Sequence, residues 1–224
     1  MLKAIIFDFD GLILDTETPE YIAWQEIFAE HGCELSLDMW GQVVGGAGFT
    51  TFDAAAHLEK LTGQPLDRAT LNARWRARGD ELIAAQPILP GVQGYLAEAE
   101  RLNLKLAIAS SSPHSWVDTH LARLGLLAHF ERIICADDVT RTKPHPDLFL
   151  AALSALSLRA EETIVLEDSP NGVRAAKAAG IFVVAVPNPL TARLWIDGAD
   201  LTLKSLVDVP LIDLLQRVNR KNLL

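Results

Sequence analysis

Asp8 and Asp10 stand one residue apart at the end of a short apolar run, Ile5-Ile6-Phe7-Asp8-Phe9-Asp10-Gly11. Strand side chains alternate faces with a period of two, so this spacing predicts both carboxylates on one side of a strand end. Two carboxylates held together repel each other unless a cation or a shared proton intervenes. Three later segments carry matching chemistry: Ser110-Ser111-Ser112, Lys143 and Glu167-Asp168. Together they suit phosphoryl transfer. One carboxylate attacks phosphorus and becomes an aspartyl phosphate. A hard divalent ion, most naturally Mg²⁺, bridges carboxylates and phosphate oxygens. A hydroxyl, backbone N–H groups and the lysine hold the remaining oxygens. The second aspartate exchanges protons with leaving group and water. Taken singly, each group is ordinary: a solvated acid pair, a helix cap, a surface lysine. Their shared position, each just after an expected strand, is what joins them.

The elements that must position these groups are short apolar runs without clean alternation: 3–9, 104–109, 132–135, 163–166, 182–186 and 201–203. Strands buried on both faces read this way. Helical patterns at 114–124, 146–158 and 170–180 lie between the later runs, and one at 209–218 follows the last, so an α/β doubly wound parallel sheet is expected. Between Asp10 and Leu104 no strand is evident, only helical patterns at 19–31, 37–44, 51–62 and 66–85. A single crossover needs about a dozen residues. Residues 16–86 are therefore expected to form an inserted helical domain, with 1–15 and 87–224 as the α/β core and 92–102 as its crossover helix. Thr18-Pro19, Ser112-Pro113 and Ser169-Pro170 each read as a capping hydroxyl with proline at the first helical position.

The chain has 224 residues, half of them hydrophobic, enough for a large domain or a domain with a small companion. A net charge of −9 without a basic stripe excludes a nucleic-acid partner. Any anionic substrate must be held by local cations or a metal against the global field. Cys33 and Cys135 are too few for a disulfide framework or a zinc cluster, which suits a reduced, cytoplasmic setting. Asp8, Asp10 and Asp15 interrupt the apolar N-terminus too early for a signal peptide. No uncharged stretch is long enough to span a bilayer, and a monomer is expected.

As a set, Asp8-x-Asp10-Gly11-x-x-x-Asp15-Thr16, Ser110, Lys143-Pro144-x-Pro146 and Glu167-Asp168-Ser169-x-Asn171-Gly172 resemble the signature motifs of the haloacid-dehalogenase-like (HAD) hydrolases. The likeness is to the helical-cap branch, which includes β-phosphoglucomutases and sugar-phosphate phosphatases. It implies a Rossmann-like core, with Asp8 as nucleophile and metal ligand. Asp10 would be the general acid/base, its backbone carbonyl touching Mg²⁺. Ser110, with Ser111 beside it, and Lys143 would bind the phosphoryl group. Asp168 would ligate the metal, with Glu167 as a direct or water-mediated ligand. Residues 16–86 would be the cap.

The same resemblance sorts the activities. Haloacid dehalogenases lack an acid at the position of Asp10, which favours phosphate chemistry. β-Phosphoglucomutases typically carry a cap histidine where Glu20 stands here, and a basic residue in the loop that here reads Val43-Val44-Gly45-Gly46-Ala47-Gly48. Hydrolysis of a small phosphate monoester, a sugar phosphate foremost, is expected, with a phosphomutase as the alternative. Thr16, Glu20, Gly46 and Arg76 are the expected substrate contacts, Arg76 by likeness to the family and Gly46 through backbone N–H groups. A receiver-type phospho-acceptor domain also pairs acids with a lysine, but needs roughly half this length.

Overall fold

The computed structural model describes residues 2–40, 52–188, 190–193 and 197–221. Six parallel strands form one sheet in the order β3-β2-β1-β4-β5-β6. They are β1 (Ala4–Phe7), β2 (Lys105–Ala109), β3 (Arg132–Ile134), β4 (Thr163–Glu167), β5 (Phe182–Ala185) and β6 (Leu201–Thr202). Nine α-helices are described: α1 (Glu17–Glu30), α2 (Leu37–Trp40), α3 (Ala54–Thr62), α4 (Arg68–Ala84), α5 (Val92–Arg101), α6 (His114–Arg123), α7 (Asp147–Leu156), α8 (Pro170–Ala178) and α9 (Leu211–Lys221).

Burial on both faces explains why the strands read as unbroken apolar runs. Ile5 and Phe7 of β1 face one core with Leu106, Ile108, Ile164, Leu166 and Val184, covered by α5, α6 and α9. Ala4 and Ile6 face the other with Ala107, Ala109, Val165 and Val183, covered by α7 and α8. Large aliphatics dominate the first face and alanine and valine the second, so the helices approach the second more closely. The order of strands places β1 between β2 and β4, with Phe7 opposite both Ile108 and Leu166. The carboxyl ends of β1, β2 and β4 therefore meet at one edge, where a doubly wound sheet forms its crevice.

Helices α1 to α4 bury a cluster of their own, with Trp24, Phe28, Leu35, Trp40 and Leu58 at its centre. Trp24 stacks on Trp75 at 5.7 Å, tying α1 to α4. The chain leaves and re-enters the sheet region side by side: Leu14 bridges Ile88, and the Leu89 amide donates to the Ile13 carbonyl at 2.9 Å. Among the described residues no helix is long and apolar enough to cross a membrane. Both cysteines are free thiols.

Two of the three expected caps fall elsewhere. Ser169 does cap α8, accepting from the Gly172 amide, with Pro170 at the first position. Helix α1 instead begins at Glu17, so Pro19 lies inside its first turn and Asp15 accepts from the Thr18 amide at 3.0 Å. Helix α6 begins at His114, and the Ser112 hydroxyl is engaged elsewhere.

Helix α6 also carries two histidines of opposite character. Burial alone would lower His114, but hydrogen bonds to Asp138 (2.8 Å) and Asp118 (3.1 Å) raise it above its ordinary value. Burial and Arg123 lower His120. His114 therefore stabilises the fold fully at pH below its unfolded value and loses that contribution as pH rises through its folded one. His120 costs stability as pH falls below its ordinary value. NMR titration of the ring protons is expected to show His114 above and His120 below about 6.5. Ordinary midpoints for both would contradict the ion pairs and the burial.

Candidate active site

Strand β1 ends at Phe7, and Asp8 still follows the sheet, its amide donating to the Leu166 carbonyl at 3.0 Å. Beyond it the chain turns: the amides of Leu12, Ile13 and Leu14 all point at the Phe9 carbonyl. Asp8 and Asp10 thus line one cavity but have separate partners. The Asp8 Oδ1 atom lies 2.6 Å from Lys143 Nζ and accepts from the Phe9 amide at 2.7 Å. Asp10 accepts from the Trp116 indole at 2.8 Å on Oδ1, and from the Ser112 and Ser110 hydroxyls at 2.7 and 3.2 Å on Oδ2.

Lys143 is 5% exposed and sits between two strand ends. Its ammonium reaches Glu167 Oε1 at 2.6 Å as well as Asp8. The other Glu167 oxygen accepts from the Ser169 amide and hydroxyl at 2.9 and 3.0 Å. Burial alone would lower the Lys143 ammonium, but Asp8 and Glu167 raise it. Burial and then Glu167 push Asp8 well above the usual carboxylate range, against the pull of Lys143. Asp168 moves the same way, through burial and then through Glu167 and Asp8.

Two glycines make room for these acids. A Cβ on Gly172 would overlap the Glu167 carboxylate, and one on Gly11 would overlap Asp168 Oδ2. Gly11 also has φ +78°, a conformation L side chains rarely adopt. Asp168 is fixed by Asn188, whose Nδ2 donates to Oδ2 at 2.8 Å. Asn188 is itself held by the Leu190 and Thr191 amides at 2.9 and 2.8 Å.

Asp8, Glu167 and Asp168 each offer a carboxylate oxygen, all within 4.8 Å of one another. One ammonium serves three carboxylates, which leaves the cluster negative. An all-oxygen, anionic donor set of this kind fits a hard divalent cation.

The cavity above these groups has a volume of about 540 Å³ and is lined by Asp8, Asp10, Ser111, Lys143 and Asp168 on the core side, and by Thr16, Glu17, Glu20 and Asp80 on the helical side. Ser110 is fully buried behind Asp10. Arg76 does not line the cavity: it is exposed on α4, while Arg74 pairs with Glu30 and Arg78 with Glu26 on the outer surface. The expectation that Arg76 contacts substrate is corrected by its height on α4. The C-terminal end of that helix approaches the core through Ile83, so Asp80, one turn (about 5.4 Å) nearer, reaches the cavity instead. Gly46 lies outside the described residues. Trp116, Glu17, Asp80 and Asn188 are additions the sequence reading missed. Glu17 and Asn188 carried a local signal, one beside Thr16 and the other just beyond β5. Trp116 and Asp80 carried none.

Residues 5–186 match the family described as haloacid dehalogenase-like hydrolase. The chain belongs to that family. It is 45% identical over 223 residues to YhcW of Bacillus subtilis, a protein named for an inferred phosphatase activity, covering 99% of this chain and 100% of that one. It is 30% identical to the validoxylamine A 7'-phosphate phosphatase of Streptomyces hygroscopicus subsp. limoneus, across 93% of this chain and 96% of the other. The crystal structure of CbbY from Rhodobacter sphaeroides, solved with phosphate, superposes with a TM-score of 0.71 at 30% identity, covering 93% of this chain and 96% of that one.

Replacing Gly172 by Ala is expected to destabilise the fold by about 1–3 kcal/mol, because α8 must move off Glu167. Gly94→Ala on α5, where a Cβ meets open space, is expected to stabilise by about 0.5–1 kcal/mol. Urea midpoints of the two variants read the contrast, and a neutral Gly172→Ala would remove the proposed close approach.

Proposed function

We propose that this chain is a Mg²⁺-dependent phosphatase of small phosphate monoesters, sugar phosphates foremost, acting through an aspartyl phosphate on Asp8. The observation that carries this reading is the asymmetric bonding of Asp8. Lys143 and the Phe9 amide both engage Oδ1, while Oδ2 has no hydrogen bond among the described residues. A carboxylate so held presents one oxygen to phosphorus with its direction fixed. The relatives named as phosphatases support hydrolysis as the reaction class.

In this reading Asp8 Oδ2 attacks phosphorus, the P–O ester bond breaks, and the leaving alkoxide takes a proton from Asp10 in its acid form. Asp10 then takes a proton from water, whose oxygen attacks the phosphoryl group, releasing phosphate and freeing Asp8. Trp116, Ser110 and Ser112 fix the plane of the Asp10 carboxyl for both transfers. Lys143 and Ser111 face the transferring oxygens. Mg²⁺, held by Asp8, Asp168 and the Asp10 backbone carbonyl, would offset the negative charge of the phosphoryl group. Glu167 acts on it through Lys143 or a water, since both its oxygens already have protein donors. Residues 16–86 form the cap over a core of 1–15 and 87–224, and the paired strands of chain at Leu14 and Ile88 are the hinge.

The mutase alternative requires a second phosphate to be held at the cap side. Glu17, Glu20 and Asp80 line that side, which favours hydrolysis.

Phosphate release from hexose phosphates is expected to need Mg²⁺ and to stop with chelator. Asp8→Asn is expected to lower kcat by about three orders of magnitude or more, as loss of a nucleophile does. Asp10→Asn is expected to cost about 10²–10⁴-fold. Isomerised sugar phosphate in place of free phosphate would favour the mutase. Comparable turnover by Asp8→Asn would remove Asp8 from its role. Trp116→Phe, which leaves one Asp10 oxygen without its donor, is expected to lower kcat about tenfold or more with the fold intact, as loss of a hydrogen bond to a charged group does. An unchanged kcat would show that the indole only packs.

A further inference from the structure

The cavity has two chemically opposite ends. At the reacting end stands Lys143, the one basic side chain of the lining among the described residues. At the other end the N-terminal turn of α1 contributes Thr16, Glu17 and Glu20, and α4 contributes Asp80. None of these four side chains has a hydrogen-bond or ion-pair partner among the described residues. Of the arginines of α4, Arg74 and Arg78 are committed to Glu30, Glu26 and Glu81 on the outer face, and Arg76, exposed one turn before Asp80, does not line the cavity. The segment 41–51 contains no lysine, arginine or histidine.

A second observation points into the cavity. Thr16 is 5% exposed, yet as the residue preceding α1 its hydroxyl makes no cap bond to the helix and no other hydrogen bond. Its oxygen is not enclosed by protein but open to the cavity. It lies beside the acids, and a ligand donor or acceptor would satisfy it. Burial and the neighbouring carboxylates Asp10 and Asp80 hold Glu20 at about 7, and burial and Glu20 raise Glu17. Among the described residues the helical side of the lining holds no cation.

We propose that the pocket selects phosphate monoesters whose alcohol part carries an ammonium group, such as amino-sugar or amino-alcohol phosphates. Glu17, Glu20 and Asp80 receive the ammonium and Thr16 bonds the adjoining polar group. An ammonium has three donors and no acceptor, which matches a wall made of acceptors. A leaving group with a carboxylate or a second phosphate meets like charge and is rejected, which makes the wall a device of selection as well as of binding. This inference rests on the phosphatase reading for the other end of the substrate.

The test compares matched pairs with Mg²⁺ at about pH 8: glucosamine 6-phosphate with glucose 6-phosphate, and O-phosphoethanolamine with ethyl phosphate. The ammonium member is expected to show at least about tenfold higher kcat/KM in one pair or both, the size of one partly buried ion pair. Glu20→Gln and Asp80→Asn are expected to bring that ratio towards one. Calorimetric binding of the same compounds to the Asp8→Asn chain reads the preference without turnover. A binding preference with no hydrolysis by the parent chain would sink the phosphatase reading and support this one. Hydrolysis without an ammonium preference in either pair, or a preference untouched by both variants, would overturn this proposal and leave the phosphatase standing.

Discussion

A buried ammonium must be paired, and the pairing of Lys143 decides where the other groups at the sheet edge can go. Strands β1 and β4 are hydrogen-bonded neighbours, with Phe7 opposite Leu166, so Asp8 and Glu167 leave adjacent strands within one strand spacing of each other. The sheet itself thus forces two carboxylates together. Lys143 lies 2.6 Å from each and relieves the repulsion the topology creates. The demand spreads outward. Glu167 can lie under α8 only because residue 172 has no side chain, and Asp168 can lie beside the β1 turn only because residue 11 has none. These glycines are packing requirements of a charge cluster, which is why they follow the acids so closely in sequence.

The two N-terminal aspartates part company because the strand stops between them. Period-two alternation holds only while the backbone stays extended. Phe9 is fully buried, stacked at 6.4 Å on His120, and it drags the chain towards α6. Asp10 is thereby delivered to donors on β2 and α6, while Asp8 stays with β4 and the Lys143 loop. Each carboxyl is surrounded by different groups, Asp8 by an ammonium and a backbone amide, Asp10 by two hydroxyls and an indole.

Both-face burial made the six strands legible as apolar runs, and the length of strandless chain after Asp10 made the helical insertion legible. The grouping of Asp8 and Asp10 with Ser110-Ser111-Ser112, Lys143 and Glu167-Asp168 was legible because each follows a strand, and parallel strands end on the same edge. What stayed hidden depends on contacts that no local pattern encodes. Trp116 meets Asp10 across 106 residues of chain. Helical periodicity alone groups Arg76 with Asp80. Their height along α4 separates them, because the C-terminal end of that helix meets the core through Ile83, and only packing sets which end does so. The misread cap at Ser112 has the same origin: its hydroxyl donates to Asp10, 102 residues away in the chain.

The field of a chain with net charge −9 opposes an anionic ligand. Lys143 alone does not reverse this, because Asp8 and Glu167 already answer its charge. At the reacting end the excess carboxylate is therefore a demand for a divalent cation. Once offset, it leaves Lys143, hydroxyls and amide groups to meet a phosphate. At the far end the acids of α1 and α4 stand outside that cluster, without a cation among the described residues of the lining. In the proposed reading, a phosphate monoester drawn into such a cavity would be oriented before any specific contact is made, its anionic part towards the sheet edge and any cationic part towards the helices. Phosphorus would then be brought to Asp8 by the same uneven charge that would repel a substrate anionic at both ends.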